Sequence, residues 1–185
     1  MKFSRFEIKE IVKAWLAVSV IFAIAMVGIN MKVFAVLPIM LITAGIGFLL
    51  HEMAHKYVAQ KYHCWAEFRS DGKALLLGLL ISLTGFIILA PGAVFIRGAN
   101  HKQHGKIALA GPMMNLLLAL IFYALMGIVA TPLLTETMKY GFKINGLLAA
   151  FNMIPFPMFD GYAVWRWNRV VYVICLVAAV IVAFI

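Results

Sequence analysis

The sequence predicts an all-α membrane protein, a polytopic helix bundle of five or six spans forming a single membrane-embedded domain over residues 1–185. Three observations carry that expectation. Of the 185 residues, 65% are hydrophobic and 12% charged, and the mean hydropathy of +1.00 exceeds what a water-soluble domain of this length sustains. Apolar stretches of bilayer-spanning or nearly spanning length recur at about 14–29, 33–50, 74–96, 107–130, 144–156 and 170–185. The loops between them are short and carry no internal repeat or low-complexity run, which leaves no room for a separate soluble domain.

Each stretch is expected to be helical, because lipid offers backbone amides no partner outside the segment itself. The first follows Lys2, Arg5, Lys9 and Lys13 and contains Ala23-Ile24-Ala25, a small-residue pattern of the kind that signal peptides carry. It continues past that point without a polar break, so an uncleaved first span is expected. The second, Val33 to Leu50, runs on into His51-Glu52-Met53-Ala54-His55. The third is interrupted by Gly78, Gly85, Pro91 and Gly92, which suits a re-entrant hairpin at about 74–96 better than a continuous span. Trp65 to Arg69 and Val94 to Ile96, on either side of it, read as extended chain. An edge strand there would bind an unwound peptide by backbone pairing, whereas a packed hairpin without substrate is the plainer alternative.

Charge sets the orientation. If all six stretches cross and the N-terminus is cytoplasmic, Lys32, Arg97, Lys102, Lys106, Arg166 and Arg169 fall outside. If 74–96 dips in and returns, only Lys32, Lys139 and Lys143 of the 16 Lys and Arg do so. The positive-inside bias favours the second arrangement, with the N-terminus toward the cytoplasm. The same bias accounts for the formal net charge of +9; the basic residues are scattered among loops, without the aromatic-interleaved patch of a nucleic-acid binder. Cys64 and Cys175 lie far apart and suggest neither a disulfide nor a metal site.

His51 and His55, four residues apart, share one helical face at about 6 Å, so that two imidazoles can converge on one metal ion with Glu52 beside them. Ionisable groups at the end of a membrane span rarely lack a function. Catalytic zinc usually takes a third protein ligand. Asn152-Met153-Ile154-Pro155-Phe156-Pro157-Met158-Phe159-Asp160-Gly161 offers Asp160, with the two prolines breaking the helix ahead of it and Gly161 permitting an unusual backbone angle. Taken alone, this segment reads better as a loop with a solvated Asp.

Together the two motifs resemble the site-2 protease family of intramembrane metalloproteases. That family pairs an HExxH on one helix with an Asn-x-x-Pro…Asp-Gly element on another. Ala110-Gly111-Pro112-Met113-Met114-Asn115 is similar to its Gly-Pro-x-x-Asn element, so the likeness covers a catalytic core of about 33–165. It implies one zinc ion per chain on His51, His55 and Asp160, Glu52 as general base, and transmembrane-segment substrates cut near the cytoplasmic face. It also gives Asn152 a role in substrate or oxyanion binding, with an interhelical hydrogen bond as the alternative. Asp160 must then lie level with the histidines, which only the arrangement with a re-entrant 74–96 allows.

Asn115 is expected to be an interhelical polar contact, and His63, His101 and His104 solvated loop residues. Tyr162 stands where many relatives have a small residue. No regulatory domain of the kinds common in that family fits in this length. The expected partners are protein substrates and the lipid bilayer; a homo-oligomer is open, and nucleic acid is not expected. The competing function is a non-proteolytic zinc-binding scaffold or chaperone-like protein, against which the presence of Glu52 argues. Metal transport would place ionisable residues at successive depths, whereas here they cluster at one level.

Overall fold

The computed structural model describes residues 1–87 and 91–185. Helix α1 spans Arg5–Val27; its N-terminus is capped by Ser4, whose Oγ accepts the Glu7 N–H at 3.0 Å. It ends at Gly28, where φ is 72°. Helices α2 (Lys32–Met40) and α3 (Ile46–Lys61) are joined by a π-helical turn over Leu41–Gly45. A π turn pairs residues five apart; here the Leu41 carbonyl accepts the Ile46 N–H and also the indole N–H of Trp15 on α1 at 3.1 Å.

The chain then forms β1 (Trp65–Ser70), α4 (Gly72–Ser82) and β2 (Gly92–Arg97). The strands pair antiparallel, with Trp65 opposite Arg97, Phe68 opposite Val94 and Ser70 opposite Gly92. Helix α5 (His101–Met126) starts with a reciprocal capping box between Asn100 and Gln103. Helix α6 (Pro132–Asn152) opens with Pro at its first position and Thr131 as cap. Helices α7 (Asp160–Trp167) and α8 (Arg169–Phe184) complete the chain.

Helix α5 is the centre of the bundle, packing against α3, α6 and α7, while α8 lies on α6. Helix α1 packs along α2, the π turn, α4 and β1. Its contact with α2, the π turn and α3 is filled by Ala14, Val18 and Phe22 packed with Met40, Ala44 and Phe48, and Phe48 meets Phe68 of β1 edge-on at 5.9 Å.

The extended pieces at 65–69 and 94–96 are strands, so the bundle is helical with one small sheet in place of all-α. Among the described residues, three segments, Arg5–Val27, Lys32–Lys61 and His101–Met126, are long and apolar enough to cross a membrane. The other expected spans are shorter or more polar. At 1.5 Å per residue, α8 with 16 residues falls short of a hydrocarbon core of about 30 Å, and α6 carries Glu136, Lys139, Lys143 and Asn145. Within the expected re-entrant region, the described residues form α4, a turn at 83–85 and then β2; residues 88–90 lie outside the described chain.

A buried ion pair ties α3 to α1. Lys56 Nζ lies 2.6 and 2.7 Å from the two carboxylate oxygens of Glu7, with both side chains 1% exposed. Removing one partner leaves a buried charge without compensation, which costs about 3–5 kcal/mol. Lys56→Ala should therefore lower the thermal unfolding midpoint in detergent substantially. Lys13→Ala, at the exposed Lys13–Glu10 pair of 3.9 Å, should hardly move it.

Candidate metal centre

Helix α3 carries His51, Glu52 and His55, all buried. Asp160 arrives from the opposite end of the sequence, as the first residue of α7, after the Pro155–Pro157 break that follows α6. The His51 and His55 Nε2 atoms are 3.0 Å apart. Asp160 Oδ2 lies 3.1 Å from the first and 3.2 Å from the second. These three residues are the group that could hold a metal ion among the described residues.

The hydrogen bonds behind the rings decide what those three atoms are. His55 Nδ1 faces the Ile107 carbonyl at 2.7 Å, a pure acceptor, so Nδ1 carries the proton. His51 Nδ1 faces Asn115 Oδ1 at 2.6 Å. The orientation of that amide follows from its neighbours: Asn115 Nδ2 donates to the Gly47 carbonyl at 3.1 Å and to Asn145 Oδ1 at 3.0 Å, while Asn145 Nδ2 donates to the Gly141 carbonyl at 2.8 Å. In their neutral form, with the proton on Nδ1, both imidazoles turn an Nε2 lone pair toward Asp160.

Among the described residues, no donor meets the buried Asp160 Oδ2 when both rings are in that form. Three electron-pair donors facing one another at this distance repel, unless a cation lies among them. Two imidazole nitrogens and one carboxylate oxygen form a zinc-type donor set that leaves a fourth position free. The carbonyl and amide behind each ring are the usual outer partners of ligating histidines.

Glycines make the convergence possible. A Cβ on Gly111 would overlap both imidazoles, so α5 can pass beneath the pair only at a residue without a side chain. Gly161 has no positive φ. It is needed because a Cβ there would strike the Met153 carbonyl, and the expected unusual backbone angle is thus corrected to a close approach.

Glu52 faces the same space from the adjacent position and accepts the Val94 N–H of β2 at 3.2 Å through Oε2. A cavity of about 680 Å3 contains all four residues and reaches along β2 to Asn152 and Phe159. Asn152 lines its wall and donates Nδ2 to the Leu148 carbonyl of its own helix at 2.9 Å. His101 and His104 are exposed, and His104 also borders the cavity. Asn115 does bridge helices as expected, but it also holds His51, a role the sequence reading did not give it. Asn145, Glu7 and Lys56 were not anticipated at all. The polar Asn145 inside an otherwise packed helix was the available signal, whereas the pairing of Glu7 with Lys56 has no local one.

A helical bundle with three membrane-length helices and a buried His-His-Asp cluster beside a glutamate defines a metalloenzyme-like class. Two relatives make the class specific. A protein of Methanocaldococcus jannaschii named "putative zinc metalloprotease" is 41% identical over 178 residues, covering 94% of this chain and 90% of its own. A Bacillus subtilis protein of the same name is 29% identical over 152 residues, 70% of this chain and 68% of its own. The chain belongs to this zinc metalloprotease family. No family model matches it, and no solved structure does.

Two substitutions test the construction of the site. Gly111→Ala should abolish stoichiometric zinc binding, read by metal analysis of the purified protein, because the methyl group takes the space of both rings. Asn115→Ala should weaken zinc by about 10–100-fold, read by chelator competition, while sparing the ligands themselves.

Proposed function

We propose that this protein is a zinc-dependent intramembrane endopeptidase of the site-2 type, cutting transmembrane segments near the cytoplasmic face. The observation that carries the reading is the partnerless buried oxygen of Asp160 facing two imidazole lone pairs, with Glu52 alongside in one cavity. His51, His55 and Asp160 are the residues that would hold zinc. When bound, zinc supplies Lewis acidity, polarising a peptide carbonyl and bringing the pKa of a water to about 7.

The chain's own residues do the rest. Glu52 removes a proton from the attacking water, which adds its oxygen to the scissile carbonyl carbon. As the C–N bond breaks, Glu52 returns that proton to the leaving amine, so no acyl-enzyme forms. The substrate must be extended for this. Gly92, Val94 and Ile96 turn their backbone groups away from β1 and toward the cavity, which favours binding of an unwound segment by strand addition along β2. Asn152, on the cavity wall, is suited to a substrate carbonyl or to the developing oxyanion.

In this reading the chain crosses the membrane five or six times, with the α4–β2 region re-entrant. Asp160 meeting the histidines supports α6 running toward the same face as the end of α3. The excess of Lys and Arg on that side supports its being cytoplasmic. Apolar side chains such as Leu117, Leu120 and Ile121 on α5 are exposed and would face lipid.

Purified wild type and Glu52→Gln provide the test, with a panel of single-span substrates in detergent. Equal zinc in both, with cleavage only by wild type, is the expected result. Cleavage unaltered in Glu52→Gln would remove the proposed base and the reading with it.

A further inference from the structure

A two-stranded sheet has two free edges, and each can capture an extended chain. Here they are treated differently. The register opposes Phe68 and Val94. The Phe68 N–H leaves the sheet toward Glu7 Oε1 at 2.9 Å, and the Val94 N–H leaves it on the other side toward Glu52. Residues 66, 68 and 70 therefore present the outer edge of β1, and 92, 94 and 96 that of β2.

The β1 edge is occupied by side chains. Lys56 Nζ donates to the Ala66 carbonyl at 2.9 Å, Glu7 takes the Phe68 N–H, and Glu10 Oε2 accepts from the Ser70 N–H at 3.3 Å and from the Ser70 hydroxyl. Glu7 and Glu10 lie three residues apart on one face of α1 and meet amides two residues apart on the strand. Along the β2 edge Glu52 takes the Val94 N–H, but among the described residues no side chain meets the backbone groups of Gly92 or Ile96, and the strand itself forms the cavity wall.

Resting on the proteolytic reading above, we infer that Glu7, Glu10 and Lys56 are positioning residues for peptide binding: they close the outer edge of β1, leaving β2 beside the metal centre as the edge where the hairpin accepts a substrate strand. The connections form a closed ring. Lys56 follows His55 on α3 and grips Glu7 and Ala66; Glu7 fixes Phe68; Phe68 sets Val94 across the sheet; and Val94 reaches Glu52, one turn back on α3. The height of the binding strand is thereby referred to the turn of helix that carries the metal ligands. A hairpin released from α1 would shift along α3 or take up a strand on its far edge, away from the zinc.

The test needs variants that open the edge without stranding a charge. Glu7→Leu/Lys56→Met replaces both ion-pair partners with apolar side chains, which proteins tolerate far better than loss of one. At residue 10, Glu10→Leu removes the acceptor and Glu10→Gln keeps one. Three readouts are taken on the full chain in detergent: zinc content, amide hydrogen exchange over 65–70, and kinetics on an extended apolar peptide that wild type cuts.

In the double variant and in Glu10→Leu, exchange should quicken about tenfold with zinc content unchanged. KM should rise about fivefold or more with kcat within about twofold, the pattern of lost substrate binding. Glu10→Gln should keep the wild-type KM. Faster exchange with unchanged KM would make the edge contacts purely structural and overturn the inference. So would unchanged exchange, or a KM in Glu10→Gln as high as in Glu10→Leu. These results bear on the inference alone. A zinc-loaded wild type that cuts no peptide would instead overturn the proteolytic reading, together with the substrate role assigned to this edge.

Discussion

Three lone pairs converging on one point constrain everything else in this molecule. His51 Nε2, His55 Nε2 and Asp160 Oδ2 sit about as close as hydrogen-bonded atoms, yet both ring protons are committed to the far side. A divalent cation at their centre would relieve all three at once. The fold supplies the enclosure that this needs. Helix α5 brings Gly111 under the rings, the Ile107 carbonyl behind one and Asn115 behind the other, and Asn145 on α6 fixes the amide that faces His51. A chain of amides therefore runs from a backbone carbonyl of α6 to a metal-ligand ring on α3, and each link has only one orientation in which all donors and acceptors are matched.

In the proposed function the hairpin adds a second requirement, an extended template beside the candidate metal centre. Its placement depends on α1, which lies far from the ligands in sequence. A buried Glu–Lys pair often gives no more stability than an apolar contact of the same volume. This one joins backbone groups of β1 to the helix that carries the histidines. The π turn at Leu41–Gly45 lies in the same region, with Trp15 donating to the Leu41 carbonyl.

Much of the site was legible in the sequence because its chemistry is local. The spacing of His51 and His55 fixes a shared helical face, and Pro155, Pro157 and Gly161 mark a break that can bring Asp160 inward. The strands were legible through β-branched and aromatic residues around the Gly and Pro breaks. What could not be read was long-range pairing: that Glu7 would meet Lys56, or Asn145 meet Asn115, depends on which helix faces lie together. Gly161 was noticed for the wrong reason, since its small size matters and its backbone freedom does not. Of the apolar stretches, three correspond to helices of membrane length among the described residues, because hydropathy alone does not separate such a helix from shorter apolar elements such as α4 and α8.

Zinc-edge X-ray absorption on the purified protein reads the ligand set itself. The expected result is one zinc per chain with a coordination shell of nitrogen and oxygen only, two imidazoles contributing, and loss of that spectrum in Asp160→Ala. A sulfur shell from Cys64 or Cys175, or a zinc environment indifferent to Asp160, would contradict it.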